Sequence, residues 1–259
     1  MYIFIKKIGG IMKYIDRKGF KIKKDIYGYG CESALYKVIN SNQLYKMWKT
    51  RDYNEIMNKV KKLQLLETKE EILDSIAKVD TLVYSNFEYS GCLVDYYDGY
   101  ELDSLGLNFL ESIKTLKKIR EVIVKFYNNG VMYLDMSPEN ILCKKNNNDI
   151  EMKFIDVDNI QIDSYPMDCM PPFLRGYLKN GGKIDFNSLI FSFNYLTRNM
   201  LIPFDIRLAN LDHIPDNFAC TYNKYIAKIV RGINECEVDG ISNNEYLLDY
   251  YNEKELVLK

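Results

Sequence analysis

The stretch "GVMYLDMSPENILCKKNNNDIEMKFIDVDNIQID", Gly130 to Asp163, sets three aspartates and an asparagine in apolar, strand-like surroundings. It reads as a loop followed by a hairpin turned at "KKNNND". Packed strands rarely hold so many carboxylates unless something neutralises them. Asp135, Asn140, Asp156 and Asp158 therefore need a reason that packing does not supply.

On either side of this stretch the chain has two textures. From about Gly19 to Asp95 it is written in short alternating runs, "FKIKKDIYGYG", "ALYKVIN", "QLYKMWK", "TLVYSNFEY" and "GCLVDYY". These read as strands joined by turns such as Asn40-Ser41-Asn42. One helical stretch interrupts them, "DYNEIMNKVKKLQLLE", with Ile56, Val60, Leu63 and Leu66 at helical spacing. From Leu102 helices dominate. "LNFLESIKTLKKIREVIVKFYNNG" carries a stripe of Ile113, Leu116, Ile123 and Tyr127 and stops at Asn129-Gly130, a good C-cap. "SYPMDCMPPFLRGYLKNGG" reads as irregular and "FNSLIFSFNYLTRNML" as an apolar helix. The order predicts an α+β fold: a small β-rich lobe with one main helix, then a larger, mainly helical lobe.

Bulk properties narrow the function classes. With 259 residues, Lys+Arg 35 and Asp+Glu 36, the net charge is −1, so no global field draws the chain to nucleic acid or an anionic membrane. The local basic clusters "KKIGGIMKYIDRKGFKIKK" and "KVKKLQLL" are expected on solvated faces. Six separated cysteines with no C-x-x-C pair, and the single histidine His213, leave no zinc or disulfide framework. That usage fits a reducing, cytoplasmic setting, with the cysteines buried and Cys31 as the one exposed thiol. "MYIFIKKIGG" is too short for a signal-peptide core or a membrane span, and Met12 competes with Met1 as the start.

"YGYGCESALYKV" places Gly28 and Gly30 between two strands. Glycine lets backbone amides approach a phosphate closely, although such a pair alone reads first as an ordinary hairpin turn. Lys46, inside "QLYKMWK", follows one strand later, which sets an ammonium under the loop and within reach of Glu55. Trp48 is expected on the opposite strand face from Lys46, as packing.

Together these residues resemble the protein kinase superfamily, over roughly Phe20 to the C-terminus. "YLDMSPENIL" is similar to the catalytic loop H-R-D-L-K-P-E-N, with Asp135 and Asn140 in place. "FIDVDN" resembles the metal-binding D-F-G segment, led by Asp156. "GYGCESAL" resembles the glycine-rich loop, with Ser33 at its third glycine. "LVDYYDGYEL" resembles the hinge between lobes, and "MPPFLRGYLKNGGKIDFNSLIFSFNYL" the A-P-E segment and the helix after it, with Pro172 and Asp185 matching.

The resemblance implies a bilobal fold: an extension over 1–18, an N-lobe over 19–97 and a C-lobe over 98–259. It implies ATP and Mg²⁺ as cofactors and a protein substrate for a monomer, with no nucleic acid and no membrane. Asp135 would take the acceptor's proton, and Asn140, Asp156 and Asp158 would hold Mg²⁺. Gly28, Gly30, Ser33, Lys46, Asp95 and Glu101 would bind the nucleotide, and Glu55, or failing it Glu67, would hold Lys46. Asp185 would fix the catalytic loop by accepting its backbone N–H groups.

Departures shape the expectation further. Tyr133 and Leu134 replace the H-R pair, and Leu134 cannot grip a phosphorylated loop, so activity is expected without one. Ser137 replaces the lysine that serine/threonine kinases place two residues after the aspartate, and Phe173 replaces the A-P-E glutamate. Asp158 in place of the D-F-G glycine resembles the metal site of small-molecule kinases of the aminoglycoside and choline type. In a strand, Asp156 and Asp158 would share a face. A short region after Leu201 completes the picture of a minimal, divergent kinase. Its function is expected to be serine/threonine phosphorylation, with small-molecule phosphotransfer and a nucleotide-binding pseudokinase as alternatives.

Overall fold

Alternation of buried and exposed side chains builds six strands around the sequence's first apolar runs: β1 (Lys13–Asp16), β2 (Ile22–Tyr29), β3 (Ser33–Val38), β4 (Gln43–Trp48), β5 (Val79–Ser85) and β6 (Glu88–Asp95). They form one sheet of order β1-β5-β6-β4-β3-β2, antiparallel except for the β1–β5 edge. The coordinates are a computed structural model that describes residues 12–146, 149–179 and 181–201. His213, Cys220, Cys236, the first eleven residues and the region after Leu201 lie outside them. The chain is α+β and divides into two compact units. The first gathers residues up to Gly99 with Asn129–Val131 and Glu151–Asp168; the second holds Tyr100–Asn128, Met132–Ile150 and the chain from Cys169.

In the first unit, period-two alternation along β4 separates two faces. Tyr45 joins Val38, Val83 and Leu93 in an apolar cluster, with Met47, Phe20 and Ile22 packed against it. Lys46 and Trp48 point the other way, the same way as each other. The expectation that Trp48 opposes Lys46 is therefore corrected, because residues two apart share a strand face. Where Gly91 of β6 pairs with Met47 of β4, its φ of 157° would aim a Cβ to within 2.0 Å of the Lys46 carbonyl oxygen.

Helix α1 (Tyr53–Glu67) follows β4 and buries Val60, Leu63 and Leu66. Its start is fixed by Asp52, whose carboxylate accepts from the Asn54 and Glu55 amides at 2.8 and 3.0 Å. The late segment of this unit joins the sheet region through Ala77, whose N–H donates to the Phe154 carbonyl at 2.8 Å.

Beyond Gly99 come β7 (Tyr100–Glu101), α2 (Phe109–Asn128), β8 (Val131–Met132), β9 (Ile141–Asn146), β10 (Asp149–Phe154), β11 (Gln161–Ile162), α3 (Pro172–Lys179) and α4 (Phe186–Leu201). In the second unit, α2 opens with a reciprocal cap: the Glu111 amide donates to Asn108 Oδ1, and the Asn108 amide to Glu111 Oε2, both at 3.0 Å. It buries Ile113, Leu116, Ile119, Ile123 and Phe126 and packs on α4. The stripe turns at Phe126, leaving Tyr127 exposed, one residue off the expected register. The segment read as irregular holds α3. Phe173, at its start, stacks on Tyr195 of α4 with ring centroids 4.0 Å apart, an apolar contact where the resembling family has an ion pair. Among the described residues no helix is long and apolar enough to cross a membrane.

Candidate functional site

Asp156 and Asp158 lie 110 and 112 residues after Lys46, yet both carboxylates meet its ammonium through Oδ1. The route is not the strand that the sequence suggested. Asp156 sits in the left-handed region at φ 62°, ψ 33° and starts a 3-10 turn, Val157–Asn159. Aspartate tolerates that conformation better than branched residues do, and the turn brings the second carboxylate to the same ammonium as the first. Asp156 keeps 42% of its side chain exposed, whereas Asp158 keeps 4%. Trp48, on the Lys46 face of β4, donates its indole N–H to Asp158 Oδ2 at 2.8 Å. Both oxygens of the buried carboxylate are thus engaged.

Burial alone would lower the Lys46 pKa, but attraction by Asp158 and then Asp156 outweighs it and the net shift is upward. Burial would raise Asp158, but the charges of Lys46 and Lys59, with the hydrogen bonds from Lys46 and Trp48, bring it down to about 2. Both groups are therefore charged at neutral pH.

Helix α1 contributes cations, not a carboxylate. Glu55 does not meet Lys46: Thr50 Oγ1 donates to Glu55 Oε2 at 2.7 Å and accepts from the Asp52 amide at 3.1 Å, so the glutamate closes the helix start. The "D-Y-N-E" stretch is a capping signature, and local hydrogen bonding claimed the residue that the motif would have placed on the lysine. Glu67 stands at the opposite end of α1. Instead, Lys59 and Lys62 are fully buried, which corrects the expectation that "KVKKLQLL" is a solvated face. Lys59 donates to Glu32 Oε2 at 2.6 Å and lies 3.3 Å from Asp168 Oδ2. Lys62 donates to the same Asp168 oxygen at 2.7 Å and to the Pro166 carbonyl at 3.2 Å. Buried ammonium groups persist because carboxylates compensate them. Glu32 and Asp168 escaped the sequence reading, while Trp48 was read as packing and Lys59 and Lys62 as a solvated face, although helical spacing does put Lys59 on the arc shared by Leu63 and Leu66.

The glycine segment is a tight hairpin. Gly28 pairs with Leu35, the Gly30 amide donates to the Ser33 carbonyl at 3.0 Å, and the Lys49 amide donates to the Glu32 carbonyl at 2.9 Å. Ser33 is buried opposite Trp48. Asp95 ends β6, its carboxyl pKa raised by burial and by neighbouring Asp80.

The second unit carries the other motif residues. Asn140 Nδ2 donates to the Asp135 carbonyl at 3.1 Å, and the Ser137 amide donates to the same oxygen at 3.0 Å. Pro138 opens a 3-10 turn, Pro138–Asn140, that fixes this spacing. Tyr133 is buried beside Phe126 and donates to the Asn140 carbonyl at 3.3 Å. Leu134 is buried as well. Glu101 is exposed on β7 opposite Leu142. Asp185 caps α4, accepting from the Asn187 and Ser188 amides at 2.8 and 3.3 Å, the place where the resemblance had put catalytic-loop amides. Of the cysteines, Cys31 and also Cys169 are exposed, while Cys92 and Cys143 are buried.

Among the described residues no three His, Cys, Asp or Glu side chains converge as a ready metal cage. Two carboxylates around one cation, one of them open to solvent, nonetheless fit Mg²⁺, which binds through one or two carboxylates with phosphates and water completing its shell.

No known protein-family profile matches the chain. Over 130 aligned residues it is 30% identical to the human "Myosin light chain kinase family member 4", covering 44% of this chain. The chain spans about a third of that relative's length, 33%. Over part of its length, then, it is similar to a kinase-family protein.

Proposed function

We propose that the chain is a cytoplasmic, monomeric protein kinase of bilobal fold that moves the γ-phosphate of Mg·ATP to a serine or threonine hydroxyl of a protein, without phosphorylation of its own loop. The observation that carries this reading is the convergence of Lys46, Asp156 and Asp158, drawn from segments 110 residues apart, into one charge cluster with a buried ammonium at its centre. Pure packing gains nothing from such a cluster, whereas a polyphosphate with a divalent ion needs a lysine and carboxylates in one place.

Asp156 and Asp158 would hold the metal, with Asn140 assigned to it by its motif. Bound Mg²⁺ would neutralise the β- and γ-phosphate charge. Lys46 binds phosphate oxygens, Trp48 orients Asp158, and the charges of Lys46 and Lys59 keep it ionised. Asp135 receives the acceptor's proton, and its carbonyl, fixed by Asn140 and Ser137, sets the loop that carries it. The kinase-family relative, named for a protein substrate, supports phosphotransfer to protein.

A second reading has its own observation. Asp158, buried and doubly hydrogen-bonded, makes the D-x-D site of a small-molecule phosphotransferase. Incubation with radiolabelled ATP and Mg²⁺, alone and with a generic protein substrate, decides. Label on protein supports the protein kinase, and ATP consumption stimulated by aminoglycoside or choline supports the second reading. Nucleotide binding with no transfer in either assay leaves a pseudokinase.

A further inference from the structure

Lys59 touches carboxylates from two separate segments: Glu32 of the glycine hairpin at 2.6 Å and Asp168 at 3.3 Å. Asp168 is in turn tied to the acidic turn, its amide donating to Asn159 Oδ1 at 3.1 Å. The Lys59 side chain has no solvent exposure, while Glu32 keeps 26%. An ammonium stripped of water this completely is costly unless several anions face it, so its position is dictated by those carboxylates and dictates theirs in turn.

We propose that Lys59 is a positioning residue of the nucleotide site that latches the glycine hairpin to the acidic turn, so that the phosphate-facing loop and Asp158 are held as one unit. The proposal rests on the nucleotide-binding reading above. The polarity is the reverse of what the motif implied: the helix brings cations to Glu32 and Asp168, and the carboxylate of the acidic turn holds Lys46. Lys62 supports the latch by sharing Asp168 from the next turn of α1, at 2.7 Å. Glu32–Lys59 is the wetter of the two contacts and is where the latch opens.

The test uses Glu32→Gln, Lys59→Met, Lys59→Arg and the double variant Glu32→Gln/Lys59→Met. It reads hydrogen exchange of the Gly30 and Lys49 amides, which close the hairpin, against α2 amides as a control for global stability. Calorimetry on the same proteins gives the Mg·ATP dissociation constant. Expected are faster hairpin exchange and an affinity loss of about tenfold in Glu32→Gln and Lys59→Met, with the double variant no worse than Lys59→Met. Lys59→Arg, which keeps the charge, returns the affinity to within about threefold of wild type. Wild-type exchange in both single variants overturns the latch. Faster exchange with unchanged affinity overturns the positioning role. Should Lys59→Met fail to fold, Glu32→Gln at the wetter end decides by the same two readings. Should the wild type bind no Mg·ATP, the functional reading falls, and the exchange data alone uphold or overturn the latch.

Discussion

Lys46 and Asp158 depend on each other for more than ligand binding. Removing one partner of a buried pair leaves the other charge uncompensated, at a cost of about 3–5 kcal/mol. Lys46→Met is therefore expected to lower stability by about 3 kcal/mol in urea unfolding without nucleotide, with Lys46→Met/Asp158→Asn recovering part of it. Equal stability of Lys46→Met and wild type would mean that the pair is not formed. The pH dependence follows from the sign of the Asp158 shift. Its folded pKa, about 2, lies below the ordinary carboxylate value, so its stabilisation is complete above that ordinary value and is lost as pH falls towards the folded one. The gap in melting temperature between wild type and Asp158→Asn should be constant near neutral pH and close between about pH 4 and pH 2. A gap that persists at pH 2 would show that the ionised form is not what stabilises. Lys46, Asp156 and Asp158 were legible from motif spacing. Lys59 and Lys62 were not, because lysine counts as a polar-face residue and their partners lie 27 and 106 residues away in sequence.

At the level of elements, strands and helices were legible where one face is apolar. All five alternating runs contain strands, and "TLVYSNFEY" resolves into the end of β5, a turn at Asn86-Phe87 and the start of β6. Helix α1 matches its predicted span because Asp52 and Glu55 mark its start. That same cap explains the misplaced glutamate: a side chain within three residues of a helix start is claimed locally before any distant lysine can compete for it. Glu55→Ala should cost about 1 kcal/mol in stability and leave Mg·ATP affinity within about threefold of wild type. Loss of nucleotide binding at unchanged stability would restore the motif's assignment. Helix α3 was hidden because its opening prolines read as breakers, although proline is well placed in a first helical turn. The β4–β6 pairing admits no side chain at Gly91, and Gly91→Ala must push β6 off the Lys46 backbone. A loss of about 1–3 kcal/mol is expected, with Lys46 displaced and nucleotide affinity reduced alongside it. An alanine variant with wild-type melting would mean that the strands stand further apart.

For the molecule as a whole, the α+β architecture was legible from the change of texture near residue 100, although the first compact unit also takes in Asn129–Val131 and Glu151–Asp168. The first sheet begins earlier than the reading at Gly19, because β1 adds a parallel edge to β5 through Lys13–Asp16. That strand is short and half polar, too weak a pattern to announce itself. A ligand that binds only the folded chain stabilises all of it, so Mg·ATP at about a hundred times its dissociation constant should add about 2.7 kcal/mol. For a protein of this size that raises the melting temperature by roughly 5–10 °C. Identical melting with and without nucleotide would remove both transferase readings. One further property follows from the placement of Trp48. The chain has a single tryptophan, and its indole N–H is bonded to the carboxylate at the centre of the charge cluster. The protein therefore carries its own optical gauge: ultraviolet emission reports from one known ring, and any ion or phosphate that changes the field at Asp158 should register as a shift in colour or yield, with no label attached.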